Sequence, residues 1–167
     1  MVIYTLGYEG ATADEFLSEL EDCGIECLVD VRELPLSRKK GFSKTALALA
    51  LEGIGVGYLH LKALGCPRDI RRALARNGDW ESYLDAYCRH LSEQADALQE
   101  LLSVCLAQRV CLLCFEADAE RCHRSLIASA LSSLTDQTNV RHLRMGESRA
   151  EAVRHRLSTA ADMPVRQ

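Results

Sequence analysis

The chain has 167 residues, 48% of them hydrophobic and 26% charged, with a formal net charge of −4. That length suits one core burying roughly 70% of the unfolded surface and makes two domains an unnecessary reading. No run reaches the ~18 consecutive apolar residues of a membrane span, and Met1 to Gly7 lacks the basic and apolar regions of a secretory signal. The expected location is therefore the cytoplasm, with no membrane partner.

Along the chain, strand and helix signals alternate. This predicts an α/β fold: a three-layer α/β/α single domain over residues 1–145, with a mostly parallel sheet of about five strands. A polar tail follows over 146–167. Val2 to Leu6 is a short apolar strand ending at Gly7-Tyr8-Glu9-Gly10, where glycine permits a sharp turn. Thr12 and Glu15 form a capping box for a helix with an apolar face of Phe16, Leu17 and Leu20, and Gly24 ends it. Cys27 to Val31 is apolar almost throughout, as in a buried parallel strand. Arg32 to Phe42 is a loop, and Ser43 caps a helix through Leu51. Gly53, Gly55 and Gly57 lead into a short strand near Val56 to Leu59. They serve as turn residues rather than a phosphate cradle, because no strand precedes them and no helix follows directly.

Pro67 opens a short basic helix that stops at Asn77-Gly78, and Asp79 caps the next. From Trp80 to Cys105 the apolar spacing is helical, in a run long enough to be broken once, near Ser92. Arg109 to Phe115 is the most hydrophobic strand and is expected at the sheet centre. Cys122 to Leu134 is helical, and Val140 to Leu143 is the last strand.

The eight cysteines do not read as a secreted disulfide framework. Cys88, Cys105 and Cys111 lie among apolar neighbours and are expected to be small buried hydrophobes. A zinc site wants paired knuckles, and Cys23-x-x-x-Cys27 has no second one, so neither a metal nor a cofactor is expected. The cations are uneven. Arg32, Arg38, Lys39 and Lys40 form one cluster, Arg68, Arg71, Arg72 and Arg76 a second, and Arg141, Arg144, Arg149, Arg154 and Arg156 a third. A local basic face can therefore exist on an acidic protein.

Ligands of open α/β sheets sit beyond the carboxyl ends of the strands, beside helix amino termini. That rule gathers Tyr8 and Glu9 after the first strand, Asp30, Arg32, Ser37 and Arg38 after the second, and His60 after the third. The central strand adds Cys114 and Glu116, and the helix behind it begins Cys122-His123-Arg124. Tyr8, Arg32, Ser37, Arg38 and Arg124 are the expected anion-binding set, since guanidinium forks suit phosphate and carboxylate. Glu9, Asp30, His60, Glu116 and His123 are the expected proton-transfer groups. Cys114 and Cys122 are candidate thiols, and an exposed Cys122 at a helix start would have a lowered pKa. Cys114 follows a strand like the catalytic cysteine of rhodanese and cysteine-phosphatase loops. There an arginine follows after five intervening residues, whereas here that position is Glu120 and Arg121 comes one too late. The acidic loop Glu116, Asp118, Glu120 would also repel an anion.

Thr5-Leu6-Gly7-Tyr8-Glu9-Gly10, Leu28 to Arg38 with Gly41-Phe42, Tyr58-Leu59-His60-Leu61 with Leu64-Gly65, and Leu112 to Glu116 with Cys122-His123-Arg124 are four ordered motifs. Together they resemble the domain of unknown function 488 family. The resemblance spans about residues 3 to 130. It implies a bacterial three-layer α/β domain and marks the same polar positions, with a DNA-repair label on some members and no established activity. The expected function is binding of a phosphate-bearing or nucleotide-like anion, with carboxylate or histidine acid–base chemistry upon it. The alternatives are a non-enzymatic nucleotide or nucleic-acid module, and cysteine-dependent transfer.

Overall fold

Capping chemistry sets the element boundaries. A computed structural model describes residues 1–135 and 138–147 of the chain. After β1 (Val2–Gly7), the Thr12 hydroxyl accepts the Glu15 N–H at 3.2 Å and the Glu15 carboxylate accepts the Thr12 N–H at 2.7 Å, which starts α1 (Ala13–Asp22). β2 (Cys27–Asp30) and α2 (Lys44–Gly53) follow. Ser43 stands at the α2 cap position but makes no side-chain cap bond there. β3 (Gly57–His60) leads through a 3-10 turn (Lys62–Leu64) into α3 (Arg68–Asn77), which stops at Gly78 with φ +67°. Asp79 accepts the Ser82 N–H at 3.1 Å and starts α4 (Trp80–Ser92). The expected break separates it from α5 (Ala95–Ala107), and β4 (Val110–Cys114), α6 (His123–Ser133) and β5 (Asn139–His142) complete the described chain.

The five strands form one all-parallel sheet in the order β3-β2-β4-β1-β5, with β4 at the centre as expected. Helices cover both faces, giving the three-layer α/β/α architecture. Strand alternation divides the core in two. Val110 and Leu112 pack with Val29 and with Tyr87, Leu101 and Ile127 of α4, α5 and α6. Cys111 and Leu113 pack with Leu28 and with Phe16, Leu20, Leu47 and Leu51 of α1 and α2. Cys105 and Cys111 are buried, but Cys88 is exposed, contrary to the sequence expectation. The buried stripe of α4 is Tyr83, Tyr87 and Leu91, and Cys88 stands one position past it, on the outward side. Among the described residues no helix is long and apolar enough to cross a membrane. Arg149, Arg154 and Arg156 lie outside the described residues, as does the tail from residue 148.

One close approach fixes where the loop after β4 sits. Gly7 pairs with Cys114 in the β1–β4 register, and a Cβ added at Gly7 would lie 1.7 Å from the Glu116 carbonyl oxygen. Gly7→Ala is therefore expected to destabilise the fold by about 1–3 kcal/mol, the usual cost of overpacking. Gly53→Ala, with nothing within 4 Å of the new atom, is expected to be neutral or stabilising by up to ~1 kcal/mol. Urea unfolding of the two variants checks the contrast.

Candidate functional site

The even-numbered side chains at the end of β2 face α1 and α2, and they build a closed polar network. Asp30 is fully buried. It accepts the Arg32 backbone N–H at 3.1 Å, Arg32 Nε at 2.8 Å, Arg32 Nη2 at 2.5 Å and the Tyr58 hydroxyl at 2.6 Å. Arg32 Nη1 donates to the Tyr8 hydroxyl at 3.0 Å and to the Phe42 carbonyl at 2.9 Å. Burial alone would lower the Arg32 pKa, but its contacts with Asp30 and Tyr8 raise it, so Arg32 stays a cation. Burial, reinforced by the Asp30 carboxylate, raises the Tyr58 phenol. Tyr8 stacks on Phe42 at 4.3 Å, and His60 Nε2 donates to the Arg32 carbonyl at 2.9 Å. Asp30 is thus the partner that orients Arg32, and His60 holds the backbone carbonyl of Arg32 itself.

Arg124 is fully buried as well. Its Nε donates to Thr5 Oγ1 at 3.2 Å, Nη1 to the Glu116 carbonyl at 2.5 Å and Nη2 to the Ala117 carbonyl at 3.0 Å. Thr5 Oγ1 also meets His142 Nδ1 at 2.8 Å. Burial, then the nearby Arg124 charge, lowers the His142 pKa, which suits a neutral ring accepting the threonine proton. All of these Arg124 donors end on protein oxygens. The residue anchors the loop after β4 and is not among the side chains that line the pocket described below. Glu9 serves the same loop, accepting the Ala117 N–H at 3.0 Å, and lines a different surface depression with Asp118 and Arg144.

On the opposite face of the sheet, Cys114 points with Val110 and Leu112 toward the start of α6. Glu116 Oε2 accepts the Cys114 thiol at 2.8 Å and the Cys122 thiol at 3.1 Å. His123 Nδ1 lies 3.7 Å from Cys114 Sγ and 3.9 Å from Cys122 Sγ, while Nε2 donates to the Val31 carbonyl at 2.9 Å. The Tyr87 ring packs edge-on against the imidazole at 5.3 Å. Burial alone would raise the Glu116 carboxyl, but the Cys114 thiol, its own backbone N–H, the Cys122 thiol and His123 together hold the pKa below its ordinary value. Burial alone would lower the His123 pKa, yet the Cys122 thiol, the Val31 carbonyl and Glu116 leave it raised. Burial, then the neighbouring Cys114, pushes the Cys122 thiol well up. Cys122 is only 2% exposed, so the lowered pKa expected of an exposed thiol at a helix start does not arise.

The two networks meet in a pocket of about 310 Å³ at the carboxyl ends of the strands. Cys114, Glu116 and His123 line one side, and Tyr8, Arg32, Ser37 and Arg38 line another. Leu34, Leu36 and Phe115 add an apolar rim that is exposed, Leu36 by 80%. The pocket brings together seven of the twelve residues expected from the sequence. Asp30, Cys122 and Arg124 support it from behind, while Glu9 and His60 stand outside it. It also contains Glu33, Cys66 and Arg71, which the sequence reading did not place there. Arg71 pairs with Glu33 across the pocket mouth. The signal for Arg71 was the basic helix opening at Pro67, the first α-helix after the third strand.

Removing one member of a buried ion pair leaves the other charge without a partner, at a cost of about 3–5 kcal/mol. Asp30→Ala and Arg32→Ala are each expected to destabilise by that amount, and Asp30→Ala/Arg32→Ala by clearly less than the sum. A double-mutant cycle in urea measures the difference; additive losses would mean that the two side chains act independently.

None of the curated proteins and none of the solved structures matches the chain. The model of one family, described as Domain of unknown function DUF488, matches residues 12–131. That stretch carries three of the four motifs noted above and leaves Thr5 to Gly10 ahead of it. It covers every pocket-lining residue but Tyr8 and most of the chain, which belongs to the DUF488 family.

Proposed function

We propose that this protein binds a small ligand carrying both an anionic group and an apolar or planar part, such as a nucleotide or a related phosphate ester, and acts on it with Glu116 and His123. The reading rests on one observation: a single pocket holds unburied guanidinium groups, an exposed apolar rim and a carboxylate–imidazole–thiol cluster. Arg38 is exposed, with no ion-pair partner among the described residues, and Arg71 is half free at its pair with Glu33. These two, rather than Arg32 and Arg124, are the groups able to take an anion. Arg32 supports the ligand from the wall through its charge. Leu36 and Phe115 supply the apolar contact, and Glu116, ionised and next to His123, is the base. A chain with eight cysteines and no disulfide among its described residues accords with a reducing compartment such as the cytoplasm.

A second reading has one feature in its favour. α3 exposes Arg68, Arg71, Arg72 and Arg76 beside the pocket, as a nucleic-acid-binding surface would. The two readings differ in their response to salt, because a backbone-binding surface loses affinity steeply as salt rises.

A thermal-shift screen against inorganic phosphate, nucleoside monophosphates and sugar phosphates tests the first reading. One class is expected to stabilise the protein. Arg38→Ala and Arg71→Ala are each expected to weaken its binding roughly tenfold, the worth of one charge-assisted contact. Ligand stabilisation that survives both substitutions would place the ligand elsewhere and end the reading.

A further inference from the structure

We propose that Cys114, Cys122 and His123, with Glu116 beside them, form a binding site for a thiophilic divalent cation, zinc being the natural choice. The inference goes beyond the ligand reading, since the cation needs no anion to bind.

One ligand atom from each of the four residues falls within 4.8 Å of every other. Three of the residues are buried and Glu116 is half-buried. Zinc takes cysteine sulfur at ~2.3 Å and histidine nitrogen at ~2.0–2.1 Å, so a tetrahedral site sets sulfur and nitrogen roughly 3.6 Å apart. The two such separations here are 3.7 and 3.9 Å. The imidazole is already oriented as a metal ligand. Its Nε2 donates to the Val31 carbonyl at 2.9 Å, which leaves Nδ1 directed at both sulfurs.

Glu116 Oε2 stands nearer, at 2.8 and 3.1 Å from the sulfurs, because it accepts their protons. Loading balances simply. One divalent cation enters, both thiols lose their protons to solvent, and two sulfur–metal bonds replace the two thiol–carboxylate hydrogen bonds. Glu116 is then released from those protons and becomes either the fourth ligand or a base beside the metal. A disulfide between the cysteines would account for the sulfurs alone. It would also need an oxidant and would leave the carboxylate and Nδ1 without their present partners. Borderline-soft sulfur and nitrogen donors select zinc over magnesium or calcium. Three of the four residues also line the pocket, so the cation would lie within reach of whatever binds there.

The experiment is titration of the metal-free, reduced full chain with zinc by calorimetry and with cobalt by absorption. One equivalent is expected to bind with sub-micromolar affinity and raise the Tm. Cobalt is expected to show thiolate-to-metal charge transfer in the near ultraviolet and intense visible bands of tetrahedral geometry. Cys122→Ser, outside the pocket lining, is expected to weaken binding by roughly 100-fold or more. Cys23→Ser/Cys88→Ser, which removes the less buried cysteines, is expected to leave it unchanged. If Cys122→Ser does not fold, the cobalt charge-transfer band in the unmutated chain still reports sulfur ligation. Absence of saturable binding, a cobalt spectrum without that band, or binding lost with Cys23 and Cys88 overturns the proposal. Zinc binding that persists when no phosphate ester stabilises the protein would support the metal site while removing the ligand reading.

Discussion

The Arg124 guanidinium ties α6 both to β1 and to the loop after β4. From the first turn of α6 it reaches Thr5 on β1 and the carbonyls of Glu116 and Ala117. A buried cation tolerates this position only if its donors find oxygen, and the loop after β4 supplies it. The loop in turn can come close enough only because residue 7 has no side chain. Once those carbonyls are turned toward Arg124, the Glu116 side chain projects the other way, onto the two thiols. The geometry of the cluster therefore depends on a residue that bonds the Glu116 backbone rather than its carboxylate.

The second organising relation runs through β2. Asp30 and Arg32 point to one face of the sheet and close a network with Tyr8, Tyr58 and Phe42. Val31 between them points to the other face, yet its carbonyl receives the His123 ring proton. His60 grips the next carbonyl along, that of Arg32. The short segment 30–32 therefore aligns the polar groups of both faces, and one pocket can draw on each.

Much of the fold was legible because it rests on local signals. The Thr12–Glu15 capping box, the stop at Gly78, the cap at Asp79 and the apolar run of β4 all act through neighbours within a few residues. Cys88 shows the limit. Cysteine is an easily buried residue, but burial depends on a helical phase that packing decides. The site was legible as an address, since its residues sit at strand ends, and less so as roles. Arg124 and Arg32 read as ligand-binding cations because sequence carries their charge but not the carbonyls and carboxylate that surround them. The contacts among the thiols, imidazole and carboxylate stayed hidden for a related reason, although their residues were gathered at one sheet edge. Those residues follow Cys-x-Glu and Cys-His spacing, not two matched knuckles, and only the turn imposed by Arg124 brings them face to face.

The strand order has a consequence for how the molecule is made. β1 and β2 flank β4 and do not pair with each other, so the sheet cannot close until residues 110–114 have been synthesised. Until then β1 has neither of its partners, β4 and β5, because both lie later in the chain. Such long-range closure is slow relative to local helix formation, and it leaves hydrophobic strand edges open in the nascent chain. Those same late contacts bury Cys114 and Cys122 and seat the loop. The chemistry-bearing end of the sheet therefore cannot be complete until β4 and the residues after it have been made, and a ribosome-bound chain that lacks them carries only the Tyr8 and Arg32 side of the pocket.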